Sequence, residues 1–347
     1  MDKKTTYNPN DVGVDNGNYF GMPFTTDEAE LVLVSVPWDV TASYGGGQSY
    51  GPDAIIGAST QLDFYDAVSP DQWKRGIATA PIDYTIQDHS AMLRGDARRV
   101  IKYLEEGGTM LDASLLSSRR SRVNSGSEKM NKAVYDQTKE WLDKGKLVGL
   151  VGGDHSTPLG FIKALAERHG SMGILHIDAH CDLRHAYEGF TYSHASIMYN
   201  VLNEVPQVEK IVQVGIRDYC DDEVELAQST PRVDQFADYA IAARAFEGTT
   251  WAQQCDEMVE CLPQKVYISF DIDGLAAENC PSTGTPVPGG LSFNQAVYLL
   301  DKVVRSGRKI VGFDLVEVAP ANKDDEWDAN VGARMLYKLC GLILKSN

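Results

Sequence analysis

The chain has no excess of positive charge, no long apolar run and no ordered cysteine pattern. Its 347 residues carry 32 Lys and Arg against 49 Asp and Glu, a formal net charge of −17. Phosphate backbones are bound through Lys and Arg, so nucleic acid is not an expected partner. A field of this sign suits a small cationic substrate. No stretch reaches the roughly 18 apolar residues of a membrane span, so no membrane partner is expected either. Residues 1–10 lack the apolar core of a secretory signal. Six cysteines, Cys181, Cys220, Cys255, Cys261, Cys280 and Cys340, fall at irregular intervals. That fits reduced thiols better than a disulfide framework. The expected compartment is the cytoplasm.

What is there is an alternation of apolar runs and helical periods. Apolar runs at Leu31–Pro37, Leu147–Val151, Gly173–Ile177, Lys210–Val214, Lys265–Phe270 and Lys309–Phe313 read as strands. Helical spacing falls near 91–107, 129–143, 157–169, 195–204, 248–262 and 293–306. Strand and helix in alternation predict an α/β fold, a mainly parallel sheet covered on both faces. No composition break divides the chain, so residues 1–347 are expected to form one domain. Residues 1–30 read as a polar, turn-rich arm on the surface or on a neighbouring subunit. Residues 110–128, rich in Ser and Arg, read as a mobile surface insertion.

Chemistry-bearing residues sit just past the apolar runs. In Asp178-Ala179-His180-Cys181-Asp182, an extended chain points Asp178 and His180 the same way, and a bend at Cys181 returns Asp182 to them. Three such ligands grip one divalent ion and begin to bridge to a second. Alone, the motif equally fits caps and surface carboxylates. Asp271 and Asp273 stand two apart in extended chain and so share a face. Two buried carboxylates that close repel, and a shared cation removes the conflict. His155 follows Gly152-Gly153-Asp154, glycines that let the strand end turn tightly. His194 and Glu317 have no second ligand at chelating spacing. They read as substrate groups, an acid/base imidazole and a carboxylate anchor. His176 reads as a core histidine, His185 as a pocket-lining residue, and His89 and His169 as surface residues. The turn-dense loop 281–290 reads as a stiff rim over the site.

Together these motifs resemble the ureohydrolase family of arginases and agmatinases. The resemblance rests on Gly-Gly-Asp-His-Ser at 152–156, Asp-Ala-His-x-Asp at 178–182, Ser-Phe-Asp-Ile-Asp-Gly-Leu at 269–275, Thr-Gly-Thr-Pro at 283–286 and Glu-Val-x-Pro at 317–320. It implies a three-layer α/β/α sandwich of the arginase/deacetylase kind, in trimers or hexamers. It also implies two Mn²⁺ per subunit, with another divalent ion such as Ni²⁺ as the alternative. One ion would be held by His155, Asp178, Asp182 and Asp271, the other by Asp178, His180, Asp271 and Asp273. His194 would be the proton shuttle, and Glu317 would bind the guanidinium of a small cationic substrate. The loop 183–195 resembles that of prokaryotic agmatinases, which implies agmatine hydrolysed to putrescine and urea. Glu188 and Thr285 are the candidate substrate-loop residues. The alternatives are guanidinobutyrase, arginase, guanidine hydrolase, formiminoglutamate hydrolase, or a non-catalytic metal-binding homologue. Gly45-Gly46-Gly47 and Ala276-Ala277 depart from the family pattern, in loops expected to border the pocket.

Overall fold

The computed structural model describes residues 6–110, 116–320 and 326–347. Eight parallel strands form one sheet: β1 (Leu31–Val36), β2 (Ile77–Thr79), β3 (Leu147–Gly152), β4 (Met172–Ile177), β5 (Val208–Val214), β6 (Val233–Phe236), β7 (Lys265–Asp271) and β8 (Lys309–Val316). Their order across the sheet is β2-β1-β3-β8-β7-β4-β5-β6. The expected strands are all present. The additions are β2 and β6, two short edge strands whose three and four residues are too few to carry a periodic signal.

Strands in this sheet are buried on both faces, which is why they read as continuous apolar runs. Leu31 and Leu33 of β1 pack into one apolar layer, with helices α1 (Gly51–Ser59), α8 (Trp251–Glu260), α9 (Phe293–Arg305) and α10 (Trp327–Ser346). Val32 and Val34 pack into the other, with α2 (Tyr84–Glu105), α3 (Ser117–Asp143), α4 (Leu159–His169) and α5 (Ile197–Glu204). The result is a three-layer α/β/α sandwich. Helices α6 (Asp221–Ser229) and α7 (Asp238–Phe246) complete the set among the described residues.

Two expectations are corrected. Residues 111–115 of the supposed insertion lie outside the described residues, but from Ser117 onward it is the opening of a 27-residue helix. Val123, Ser127, Met130 and Val134 form its buried stripe at helical spacing. The Arg residues and the remaining Ser residues occupy the other faces, where Arg119 and Arg122 both pair with Asp96 of α2. The amino-terminal arm is likewise only partly superficial. Tyr19, Phe20, Met22 and Phe24 are buried. The Tyr19 hydroxyl lies 2.8 Å from Ser35 Oγ, and Phe20 N–H donates to Ser59 Oγ at 2.7 Å. Four apolar side chains among Asn and Gly anchor a segment whose composition otherwise reads as turn.

The strand order decides where function is placed. The chain leaves β3 and returns at β4 three places across the sheet, on the far side of β8 and β7. Ligand sites of open α/β sheets form at the carboxyl ends of strands, at such a reversal. Here the strands β3, β8, β7 and β4 are consecutive neighbours, and their carboxyl ends open onto one crevice.

Candidate metal centre and active site

Each of the four central strands delivers its polar residues at its carboxyl end. His155 follows β3, Asp178, His180 and Asp182 follow β4, Asp271 ends β7 with Asp273 just beyond, and Glu317 follows β8. Gly153 permits the turn after β3, since a Cβ there would lie 1.9 Å from the Trp38 carbonyl oxygen. Asp154 N–H donates to that same carbonyl at 2.7 Å, which fixes the turn that carries His155.

The six expected ligands converge. His155 Nδ1 lies 3.0 Å from Asp178 Oδ2, 3.2 Å from Asp182 Oδ2 and 3.2 Å from Asp271 Oδ2. His180 Nδ1 lies 3.1 Å from Asp273 Oδ2 and 3.4 Å from Asp178 Oδ1. Asp178 thus presents one oxygen to each group, the geometry of a bridging carboxylate. Asp271 Oδ1 accepts the Asp273 N–H at 2.8 Å, leaving Oδ2 turned to His155. His155, Asp178, Asp182, Asp271 and Asp273 are all buried.

Hydrogen bonds beneath the cluster set its tautomers. Ser269 Oγ donates to Asp314 Oδ2 at 2.9 Å and meets His155 Nε2 at 2.9 Å. With the serine proton committed, Nε2 carries the imidazole proton and Nδ1 offers its lone pair. Nδ1 is buried without a directed hydrogen bond, although three carboxylate oxygens crowd it. A lone pair facing carboxylates is repulsive, and a cation between them reverses the sign. The electrostatics of the cluster make the same demand. Burial alone would lower the His155 imidazole, yet the surrounding carboxylates hold it well above its ordinary range. Burial, then Asp273 and Asp178, push the Asp271 carboxyl well up. At His180, Asp273 and Asp178 outweigh burial and push the imidazole up to about 12. These residues fit divalent metal, four carboxylates and two imidazoles being a hard to borderline set.

His176 is in its expected strand and buried, but it belongs to this site. Gln213 Nε2 donates to its Nδ1 at 3.0 Å, so its Nε2 carries the proton that reaches Asp178 Oδ2 at 2.7 Å. Gln213, His176, Ser269 and Asp314 are register neighbours on β5, β4, β7 and β8. They form one polar row across the sheet under the ligands, holding them from behind as outer partners hold metal ligands generally.

His194 and Glu317 are close to one another as well as to the cluster. His194 Nδ1 lies 3.6 Å from Glu317 Oε1, and its Nε2 lies 3.1 Å from Ser43 Oγ. Its backbone N–H donates to Thr41 Oγ1 at 3.1 Å. Burial lowers the His194 imidazole, but Glu317 outweighs it and the net shift is upward. Glu317 has left-handed backbone, φ 65°. That turn is fixed by its N–H to the Gly153 carbonyl, 2.7 Å, and by Thr283 Oγ1 donating to its carbonyl, 2.8 Å.

A cavity of about 150 Å³ opens onto these groups, lined by His155, His180, Asp182, His194, Asp271, Thr285 and Glu317, with Arg184, Tyr187, Asp218 and Glu223 at its walls. Thr285 Oγ1 lies 3.4 Å from Asp273 Oδ2. Glu188 does not line it. Burial pushes the Glu188 carboxyl up to about 7, with His194 pulling the other way. His185 is not a lining residue either, because its ring packs on Tyr199, with centroids 5.0 Å apart. Of the departing loops, Ala276 and Ala277 are absent from the lining, whereas the Gly45–Gly47 loop touches the rim through the Gly45 N–H to Gly284 carbonyl bond, 2.9 Å. A larger cavity, about 640 Å³ between α2 and α3, includes His89 but none of the clustered ligands.

A testable consequence concerns ion removal. Chelation should lower the midpoint of thermal unfolding, and divalent ion should restore it. Each site saturated 100-fold above its Kd would contribute about 2.7 kcal/mol. An unchanged midpoint after complete chelation would refute a metal centre here.

Comparison with known proteins agrees with this geometry. A sequence model of the Arginase family matches residues 29–341. An N(1)-aminopropylagmatine ureohydrolase of Thermus thermophilus is 31% identical over 318 residues, covering 91% of each chain. An agmatinase of Serratia proteamaculans is 30% identical, covering 91% of this chain and 89% of its own. Among solved structures, a proclavaminate amidino hydrolase from Streptomyces clavuligerus superposes with a TM-score of 0.72 at 21% identity, covering 97% of this chain and all of that one.

Proposed function

Because this chain belongs to the arginase family of metal-dependent hydrolases acting on guanidino compounds, we propose that it cleaves agmatine to putrescine and urea. The observation that carries the chemistry is the convergence of three carboxylate oxygens, from Asp178, Asp182 and Asp271, within 3.0–3.2 Å of His155 Nδ1. His155, Asp178, Asp182 and Asp271 would hold one ion, and Asp178, His180, Asp271 and Asp273 the other. Mn²⁺ suits so oxygen-rich a set, with Ni²⁺ as the alternative. Two divalent ions at this site would acidify water from 15.7 towards ~7 and so supply a nucleophile near neutral pH.

The chain's own residues do the rest. Glu317 accepts two parallel hydrogen bonds from the planar guanidinium and aims its carbon at the cluster. His194, its charged form favoured by Glu317, lies beside the bound guanidinium. Its Nδ1 is the nitrogen nearest the carboxylate, and the imidazole delivers a proton to the departing amine. Thr285 lies on the wall, and Glu188, next in the chain to the wall residue Tyr187, is the loop candidate for the distal end of the substrate. Single-domain folding, assembly into trimers or hexamers and a cytoplasmic location complete the proposal.

Substrate choice follows from the mouth. Arg184 is drawn to Glu223, with Nε to Oε2 at 3.5 Å, and Asp218 adds a further carboxylate to the wall. Such a wall favours a distal ammonium over a distal carboxylate. N(1)-aminopropylagmatine, a longer cation, is the second reading, favoured by the 31% identical relative. The test is a panel on ion-loaded protein: agmatine, N(1)-aminopropylagmatine, arginine, guanidinobutyrate, guanidine and formiminoglutamate, scored by urea or formamide. We expect kcat/KM for agmatine to exceed that for arginine and guanidinobutyrate. A reversed order would sink the agmatine assignment while leaving the family chemistry intact.

A further inference from the structure

Both carboxylate oxygens of Glu317 are held by protein donors. Oε1 accepts the backbone N–H of His155 at 2.8 Å, and Oε2 accepts Gln48 Nε2 at 3.0 Å. These partners come from separate parts of the chain, Gln48 and Glu317 being 269 positions apart. Gln48 is 0% exposed. Its turn is fixed by the Gly47 N–H, which donates to Asp39 Oδ2 at 2.9 Å. The facing loop is shaped to admit the pair. A Cβ on Gly284 would lie 2.1 Å from Gln48 Nε2 and 3.2 Å from Glu317 Oε2. Thr283-Gly284-Thr285 therefore closes over the two side chains only because its middle residue has none.

Gln48 is not explained as ordinary core packing. Its Oε1 is buried and has no donor among the described residues, so a residue that merely filled this space would be better apolar. Its orientation is fixed as well. Nε2 faces two acceptors, Glu317 Oε2 and the Gly45 carbonyl at 3.4 Å, so the amide cannot be reversed.

We propose that Gln48 is a positioning residue for guanidinium recognition. This rests on the ureohydrolase reading of the site. An ionised carboxylate offers about four lone-pair positions. The His155 N–H takes one and Gln48 takes another, one on each oxygen. The remaining pair is left in the carboxylate plane facing the cavity, matched to the fork of a guanidinium. Without Gln48, the carboxylate plane of Glu317 is held only through the His155 N–H on Oε1, and Oε2 loses its fixed place in the fork. Gln48 acts through Glu317 and has no role in proton transfer.

The closing experiment uses Gln48→Met in the full-length, ion-loaded protein. Methionine keeps the length and approximate volume and removes the N–H. The guanidino substrate KM is expected to rise about 10–100-fold, the worth of a hydrogen bond to a charged group. The Ki of methylguanidinium should rise in parallel. The Ki of putrescine, which has no guanidinium to offer Glu317, should stay at the wild-type value, as should ion content and thermal midpoint. Should Gln48→Met not accumulate as folded protein, Gln48→Asn reads the same quantity, since it withdraws the amide by one methylene. Wild-type KM and Ki in a folded variant would overturn the proposal, and so would an equal rise in both Ki values. If the wild-type protein hydrolyses no guanidino compound, the ureohydrolase reading falls instead. Methylguanidinium affinity by calorimetry then still decides the role of Gln48.

Discussion

Asp271→Ala is expected to give a folded protein that retains fewer than two ions and has no measurable turnover. The wild-type protein loaded with Mn²⁺ should hold two per chain. Asp271 Oδ2 belongs to the His155 group, while its Oδ1 holds the Asp273 N–H that orients the second carboxylate. Removing it takes away a ligand that the two ions would share and frees the Asp273 N–H. Turnover should fall by more than about 10³-fold, because the acidification of water from 15.7 towards ~7 depends on the intact centre. Misfolding is separable from this outcome. Without ions the Asp271 carboxyl is a liability, pushed up by burial and by Asp273 and Asp178. The chelated variant should therefore unfold no earlier than the chelated parent, yet gain less on adding Mn²⁺. Two ions per chain by elemental analysis, with wild-type turnover, would refute the bridging role.

His194→Ala should dissociate the two properties that Asp271→Ala loses together. Its imidazole nitrogens meet Glu317 and Ser43 and none of the six clustered ligands. Ion content should stay at the wild-type value while kcat falls roughly 10²–10⁴-fold, the usual worth of a positioned acid or base. KM should change far less, since the two Glu317 oxygens keep their donors from His155 and Gln48. Turnover at the wild-type rate would remove His194 from the chemistry.

Much of this site is legible in the sequence because ligands follow strands. Asp178 and His180 stand two apart at the end of an apolar run, as the spacing predicts; Asp271 and Asp273 meet instead through a 3-10 turn, Ile272–Gly274, in which Asp271 Oδ1 accepts the Asp273 N–H. The supporting row was harder to see. Gln213, His176, Ser269 and Asp314 are single polar residues inside apolar strands, and only the register across four strands brings them together. A polar residue in a strand buried on both faces is nevertheless a signal, since it must find a partner. Gln48 left no such trace. It sits in a turn among Gly and Ser, where polar side chains are ordinary, and its partner is 269 residues away. The opening turns of α3 were missed for the opposite reason, although its later part, 129–143, was expected. Its first turns present so much Ser and Arg to solvent that the stripe beginning at Val123 is outweighed locally.

The position of β8 has a consequence for the order in which the molecule can be assembled. It is the last strand to be synthesised, yet it lies near the middle of the sheet, hydrogen-bonded to β3 on one side and β7 on the other. Until residue 316 has left the ribosome, the chain has two half-sheets, β2-β1-β3 and β7-β4-β5-β6, each with an open edge. The first ion's ligand set cannot close in that state, because His155 is on one half and Asp178, Asp182 and Asp271 are on the other. The nascent chain must keep both edges unpaired until the wedge between them arrives, a late, long-range step of the kind that slows folding and exposes strands to aggregation. A ribosome stalled before β8 would therefore release an aggregation-prone pair of sheets in place of a weakened enzyme.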